Sequence, residues 1–167
     1  TGLLNRSEFK ARAEQSLSHA MRKNEQCALL LIDLDDFKIV NDTFGHGIGD
    51  DLLKNFASRL RQLLRDEDLC CRFGGDEFLV LLSGVNQAGA ARTAERIDES
   101  LQRKFAIDAG EIVVNASIGI SIFPGNGKDC ATLVQNADTA MYKAKSGGRS
   151  RFRFFDQAMN EEVSARF

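Results

Sequence analysis

Apolar and polar positions along the chain fall into segments of two periods. Residues 27–32 read Cys-Ala-Leu-Leu-Leu-Ile, an unbroken apolar run of the kind that a strand buried on both faces requires. Upstream, Asn5 followed three residues later by Glu8 is a helix-opening pattern and predicts a helix to about Lys23. Downstream, the run ends in Asp33-Leu-Asp35-Asp36. A short helix is predicted from Asp36 to about Asp42, then a loop over Gly45–Gly49. Leu52, Leu53, Phe56, Ala57, Leu60, Leu63 and Leu64 follow at helical spacing and predict a long amphipathic helix.

Two more apolar runs, Leu69–Phe73 and Asp76–Leu82, flank Gly74-Gly75. That predicts a hairpin with a two-residue primed turn, whose central residues need positive φ. A helix is predicted over 88–103, and a strand over 111–123 with Val114, Ala116, Ile118, Ile120 and Ile122 on one face. A helix over 131–145, stopped by Gly147-Gly148, and a short strand over 151–155 complete the pattern. Helices alternating with strands around one mixed sheet define the fold class as α/β or α+β.

With 167 residues the chain is one domain, large enough for its own core. Its net charge of −2 lacks the basic excess of a nucleic-acid groove, so no nucleic-acid partner is expected. No apolar stretch is long enough to span a bilayer, and no membrane contact is expected. Cys27, Cys70, Cys71 and Cys130 form no CxxC pair, and His19 and His46 are the only histidines, so zinc spacing is absent. Buried free thiols in a reducing compartment are expected, and the location is read as cytoplasmic. The chain opens at Thr1 without a Met and reads as a piece of a longer protein.

The acidic residues carry the chemistry. Asp33 and Asp35 leave the end of a buried strand on one face, where carboxylates together with substrate phosphates hold hard cations such as Mg²⁺. Asp76 and Glu77 stand just past the hairpin turn. Set beside the first strand, Asp76 completes a metal site with Asp33, while strand alternation sends Glu77 to the opposite face.

The string Gly74-Gly-Asp-Glu-Phe78 resembles the signature of GGDEF-type diguanylate cyclases. Residues 32–50, Ile-Asp-Leu-Asp-Asp-Phe-Lys-Ile-Val-Asn-Asp-Thr-Phe-Gly-His-Gly-Ile-Gly-Asp, are similar to that family's first active-site segment. Thr1–Arg6 is similar to its opening segment and Ala144–Arg149 to its closing one. Four motifs in order over nearly the whole chain outweigh any single one. The resemblance implies a ferredoxin-like βαββαβ core like that of adenylyl cyclases and polymerase palms. It divides the chain into a domain over 1–155 and a connector helix over 156–167 toward a downstream domain, as in GGDEF–EAL proteins.

The resemblance also implies roles. Asp33, Asp76 and the backbone carbonyl of Leu34 hold Mg²⁺ or Mn²⁺. Asp76, Lys38 and Glu77 form the catalytic set. Asn41 and Asp50 read guanine, with His46 and Phe37 beside them, and Lys145 and Arg149 hold phosphates. Two GTP molecules, one on each copy of a homodimer, condense to cyclic di-GMP and two pyrophosphates. Arg65 and Asp68 match the family's RxxD inhibitory motif, with Arg96 assisting, and imply feedback by bound cyclic di-GMP. Two other readings remain open: a catalytically silent domain that binds GTP or cyclic di-GMP and regulates a neighbour, and an adenylyl-cyclase or polymerase-like enzyme on the same core.

Overall fold

A computed structural model describes residues 3–108, 110–148, 152–156 and 159. Helix α1 (Arg6–Lys23) opens with a full capping box, in which the Asn5 side chain accepts from the Glu8 N–H and Glu8 accepts from the Asn5 N–H. Strand β1 (Cys27–Leu34) is buried along its whole length. Helices α2 (Phe37–Phe44) and α3 (His46–Leu63) follow, then the hairpin β2 (Leu69–Arg72) and β3 (Glu77–Ser83). Next come α4 (Gln87–Gln102), β4 (Phe105–Ile107), β5 (Gly110–Ile112), β6 (Ala116–Phe123), α5 (Cys130–Ser146) and β7 (Phe152–Phe154).

The main sheet has the order β2-β3-β1-β6-β7. Its first four strands are antiparallel, and β7 joins β6 in parallel. Taking β6 as the fourth strand gives the expected βαββαβ connectivity, with α5 and β7 added. β1 is central, so its side chains feed two cores. Ala28, Leu30, Ile32 and Leu34 pack under α3 and α4 with Phe56, Phe78, Ile118 and Ile97. Cys27, Leu29 and Leu31 pack under α1 and α5 with Phe9, Leu79, Leu133 and Met141. All four cysteines are free and buried.

Along the middle of β6 the residues facing α5, Gly119 and Ser121, are small. Ser121 donates its hydroxyl to the Leu133 carbonyl at 2.7 Å. At Gly119 the helix backbone comes so close that a Cβ would lie 1.9 Å from the Ala137 oxygen.

Three expectations need correction. The Gly45–Gly49 segment is not a loop, because α3 begins at His46. Gly45 alone makes the break, with φ 94°, while Gly49 lies inside α3, where a Cβ would strike the Asn41 carboxamide. The hairpin has no two-residue primed turn. Phe73–Asp76 form the connection, the Phe73 N–H donates to the Glu77 carbonyl at 2.8 Å, and neither glycine is left-handed. The Arg72 guanidinium braces this turn by donating to the carbonyls of Gly74 and Gly75, the latter at 2.6 Å. Finally, the strand predicted over 111–123 is two strands, since β5 pairs with β4 in a separate ribbon and β6 begins at Ala116.

Gly119→Ala forces α5 off the sheet, and overpacking of this kind destabilises by about 1–3 kcal/mol or more. Gly125→Ala, where no atom stands within 4 Å of a new Cβ, should leave urea-unfolding midpoints nearly unchanged. Equal midpoints for the two variants would show that α5 does not need the close approach.

Candidate active site

The end of β1, the hairpin tip and the last turn of α5 converge at one end of the sheet. The ladder pairs Asp33 with Glu77, and the Leu34 N–H donates to the Asp76 carbonyl at 3.1 Å. Carboxylate oxygens of Asp33, Asp76 and Glu77 all lie within 4.8 Å of one another. Glu77 thus joins Asp76 rather than turning to the opposite face. Asp76 precedes the first residue of β3, so strand alternation does not govern the pair. Asp35 does not join the three acids. It accepts from the Ser117 hydroxyl at 2.9 Å on β6.

Lys145, in the last turn of α5, pairs with Asp33 Oδ2 at 2.6 Å. Asp33 is only 8% exposed, and its Oδ1 is the one buried side-chain oxygen or nitrogen among the described residues with no hydrogen-bond partner. A carboxylate with an orphaned buried oxygen, grouped with two more carboxylates, is a donor set suited to a hard divalent cation. The electrostatics agree. Burial pushes the Asp33 carboxyl up to about 6, helped by the charges of Asp76 and Glu77 and opposed by Lys145. Burial also raises Glu77, together with the charges of Asp138 and Asp76.

The carried-over substrate residues of the first segment lie on α2 and α3, the helices that follow the end of β1. Lys38 is exposed on the first turn of α2, and Asn41 is half-buried one turn on. Phe37 is buried in the core, its ring stacked against Gly49. His46 and Asp50 are exposed on the first turns of α3. The Asn41 carboxamide packs so close to Gly49 that a Cβ there would clash with it. Arg149 lies outside the described residues, as does most of 156–167.

Arg65 and Asp68 form a closed unit on the far side of β3. The Asp68 carboxylate, 3% exposed, accepts from the Arg65 guanidinium at 3.0 Å and the Arg65 N–H at 2.9 Å. Arg65 also donates to the Ser83 carbonyl at 2.6 Å and lines a hollow of about 730 Å³ with Arg12, His19 and Glu25. Arg96 lines a different hollow, with Arg59 and Arg103. Arg72 and Asp138 escaped the sequence reading. The arginine before the two glycines was the available signal for the first, while nothing in the local sequence marks the second.

Residues 1–151 match the family described as diguanylate cyclase, GGDEF domain. The chain is 42% identical over 160 residues to the bifunctional diguanylate cyclase/cyclic di-GMP phosphodiesterase MucR of Pseudomonas aeruginosa, covering 96% of this chain and 23% of MucR. It is 39% identical to the cyclic di-GMP phosphodiesterase PdeR of Escherichia coli, covering 98% of this chain and 24% of PdeR. Among solved structures, the GGDEF domain of YfiN (TpbB) from Pseudomonas aeruginosa superposes with a TM-score of 0.90 at 40% identity, covering 93% of this chain and 98% of that one. The GGDEF domain of DgcB from Caulobacter crescentus in complex with c-di-GMP gives 0.84 at 27% identity, with 92% of each chain covered. The chain belongs to the GGDEF domain family. It spans less than a quarter of the length of MucR and PdeR. None of the described helices is long and apolar enough to cross a membrane.

Asp98 on α4 is a perturbed acid outside this cluster. Burial, with the charges of Asp35 and Glu95, raises it to about 6. A raised carboxyl holds its proton more tightly in the folded state. Its contribution to stability is therefore full at low pH and is lost as pH rises through about 6. Asp98→Asn should raise the melting temperature at about pH 8 and leave it unchanged near pH 3, where both forms are neutral. A melting curve equally shifted at both pH values would contradict the assignment.

Proposed function

We propose that the domain is a diguanylate cyclase, condensing two GTP into cyclic di-GMP and two pyrophosphates with Mg²⁺ or Mn²⁺ at the acidic cluster. The observation that carries this reading is the meeting of Asp33, Asp76 and Glu77 within 4.8 Å around an unpartnered Asp33 oxygen. Asp33, Asp76 and the Leu34 carbonyl would hold the cation, which supplies charge neutralisation at the phosphates and a lower pKa for the attacking hydroxyl.

The chain's own groups orient and neutralise. Asn41 offers both donor and acceptor to the guanine edge, and Asp50 accepts from the ring N–H and the amine. Lys38, exposed on the first turn of α2, would stabilise negative charge as the 3′-hydroxyl of one GTP attacks the α-phosphorus of the other. Lys145, paired here with Asp33, would bind the phosphates as a compact cation. Each domain offers one set of these groups, so a two-fold pair of domains is needed for both bonds. Arg65 and Asp68 form the proposed inhibitory site for cyclic di-GMP.

A second reading is favoured by PdeR, a phosphodiesterase by name: a silent GGDEF domain that binds nucleotide and regulates a partner domain. Incubation with GTP and Mg²⁺ separates the two, because only the cyclase releases pyrophosphate. Asp33→Ala and Asp76→Ala should each abolish pyrophosphate release while the folded circular-dichroism spectrum persists. Product formation near the parent rate by either variant would remove the metal-site assignment.

Arg65→Ala should relieve product inhibition without lowering the initial rate. Removing a charge-assisted fork costs roughly 1.5–3 kcal/mol, or about ten- to a hundred-fold in cyclic di-GMP affinity. Progress curves should stay linear for longer. Unchanged calorimetric affinity would leave the Arg65–Asp68 pair as a structural clasp alone.

A further inference from the structure

The structure assigns Asp35 and Ser117 a task that their chemistry alone does not announce: we propose that they are positioning residues that aim the Leu34 carbonyl at the cation site. The inference rests on the reading of Asp33, Leu34 and Asp76 as cation ligands.

The argument begins with one peptide plane. The bond between Leu34 and Asp35 is trans, so its C=O and N–H point in opposite directions. The Asp35 N–H donates to the Asn115 carbonyl at 2.8 Å, toward the β6 side of the chain. The Leu34 carbonyl must therefore point the other way, toward the hairpin. The Leu34 N–H confirms the direction, since it donates to the Asp76 carbonyl on that same side. Whatever fixes the Asp35 peptide thus fixes where the Leu34 oxygen is presented.

Among the described residues, two hydrogen bonds do this. One is the backbone bond to Asn115, at a point where β6 has not yet begun and the ladder gives little support. The other is the Ser117 hydroxyl donating to Asp35 Oδ1 at 2.9 Å, with both residues buried. Ser117 is itself the ladder partner of Asp33. The side-chain bond therefore closes a small loop: Asp33 is paired with Ser117, Ser117 is bonded to Asp35, and Leu34 lies between the two aspartates.

The stakes are high at this peptide because the next residue leaves the strand abruptly. Asp36 has φ 58°, left-handed for a residue with a side chain, and its carbonyl accepts from the Ile39 N–H to start α2. Without a bond on each side of Leu34, the strand end would follow α2 rather than the sheet. Partners that orient a ligand without touching the metal commonly change affinity by roughly ten- to a hundred-fold when removed.

The test is Mn²⁺ binding in the presence of a non-condensing GTP analogue, followed by electron paramagnetic resonance, with Mn²⁺-dependent turnover measured alongside. Asp35→Leu and Ser117→Ala should each weaken Mn²⁺ by roughly ten- to a hundred-fold, with turnover recovering at saturating cation. Asp35→Asn keeps the acceptor for Ser117 and should bind Mn²⁺ close to the parent. Asp35→Asn as weak as Asp35→Leu would make the charge, not the hydrogen bond, the active feature and overturn the inference. Parent-like Mn²⁺ affinity in folded Asp35→Leu or in Ser117→Ala would overturn it too. If Asp35→Leu does not fold, Ser117→Ala decides alone. A parent protein that binds no Mn²⁺ sinks the metal reading itself, whereas one that binds Mn²⁺ but makes no cyclic di-GMP sinks only the cyclase reading.

Discussion

Everything at the site hangs on the antiparallel register between β1 and β3. It sets Asp33 opposite Glu77 and brings the Leu34 N–H to the Asp76 carbonyl. A slip by one residue would exchange the faces of every side chain on one strand. Polarity alone does little to prevent that here, because both faces of both strands are apolar and buried. Shape and the strand ends do the work. Phe78 packs edge-on against Phe56 with ring centres 5.0 Å apart, a fit that the other face, lined by α1 and α5, does not offer. At the end of the sheet, the acids must stay where solvent and cations reach them, and Arg72 stiffens the turn that carries them.

That register gathers three carboxylates with one ammonium to offset them. Like charges this close raise each other's affinity for protons, and burial adds to it. Asp33 shows the result, since it remains raised despite a direct bond to Lys145. The cluster is a local conflict that folding alone would not select. A divalent cation would offset it better than a single lysine, because it carries twice the charge.

Much of this was legible in the sequence. The capping box, the doubly buried strand, the acids at its end and the hairpin that returns Asp76 to them all follow from local pattern. What escaped has a physical reason in each case. β4 and β5 are three residues each and half exposed, too short for any period to emerge. The alternation from Val114 to Ile122 runs through the break before Ala116, so two strands read as one. The glycines at 47 and 49 signal a loop by propensity, yet both lie in α3; at Gly49 the reason for glycine is steric, since Phe37 and Asn41 fill the space that a side chain would need. The bond between Asp35 and Ser117 joins residues 82 apart, beyond the reach of any local signal.

The position of Lys145 links the last helix to the first strand. It ends a helix whose C-terminal carbonyls favour a cation, so α5 places positive charge near the acids before any ligand arrives. The tight seating of α5 on β6, through Gly119 and Ser121, fixes how far that charge can reach. Lysine is suited to this duty because its ammonium is a compact charge on a flexible stem. It can neutralise Asp33 in one state and turn to another anion in the next without moving the helix. An arginine would bind the carboxylate through a planar fork and release it less readily. Because a lysine offers a point charge rather than a fork, Lys145 takes up Oδ2 of Asp33 alone and leaves Oδ1 as a buried side-chain oxygen with no hydrogen-bond partner among the described residues.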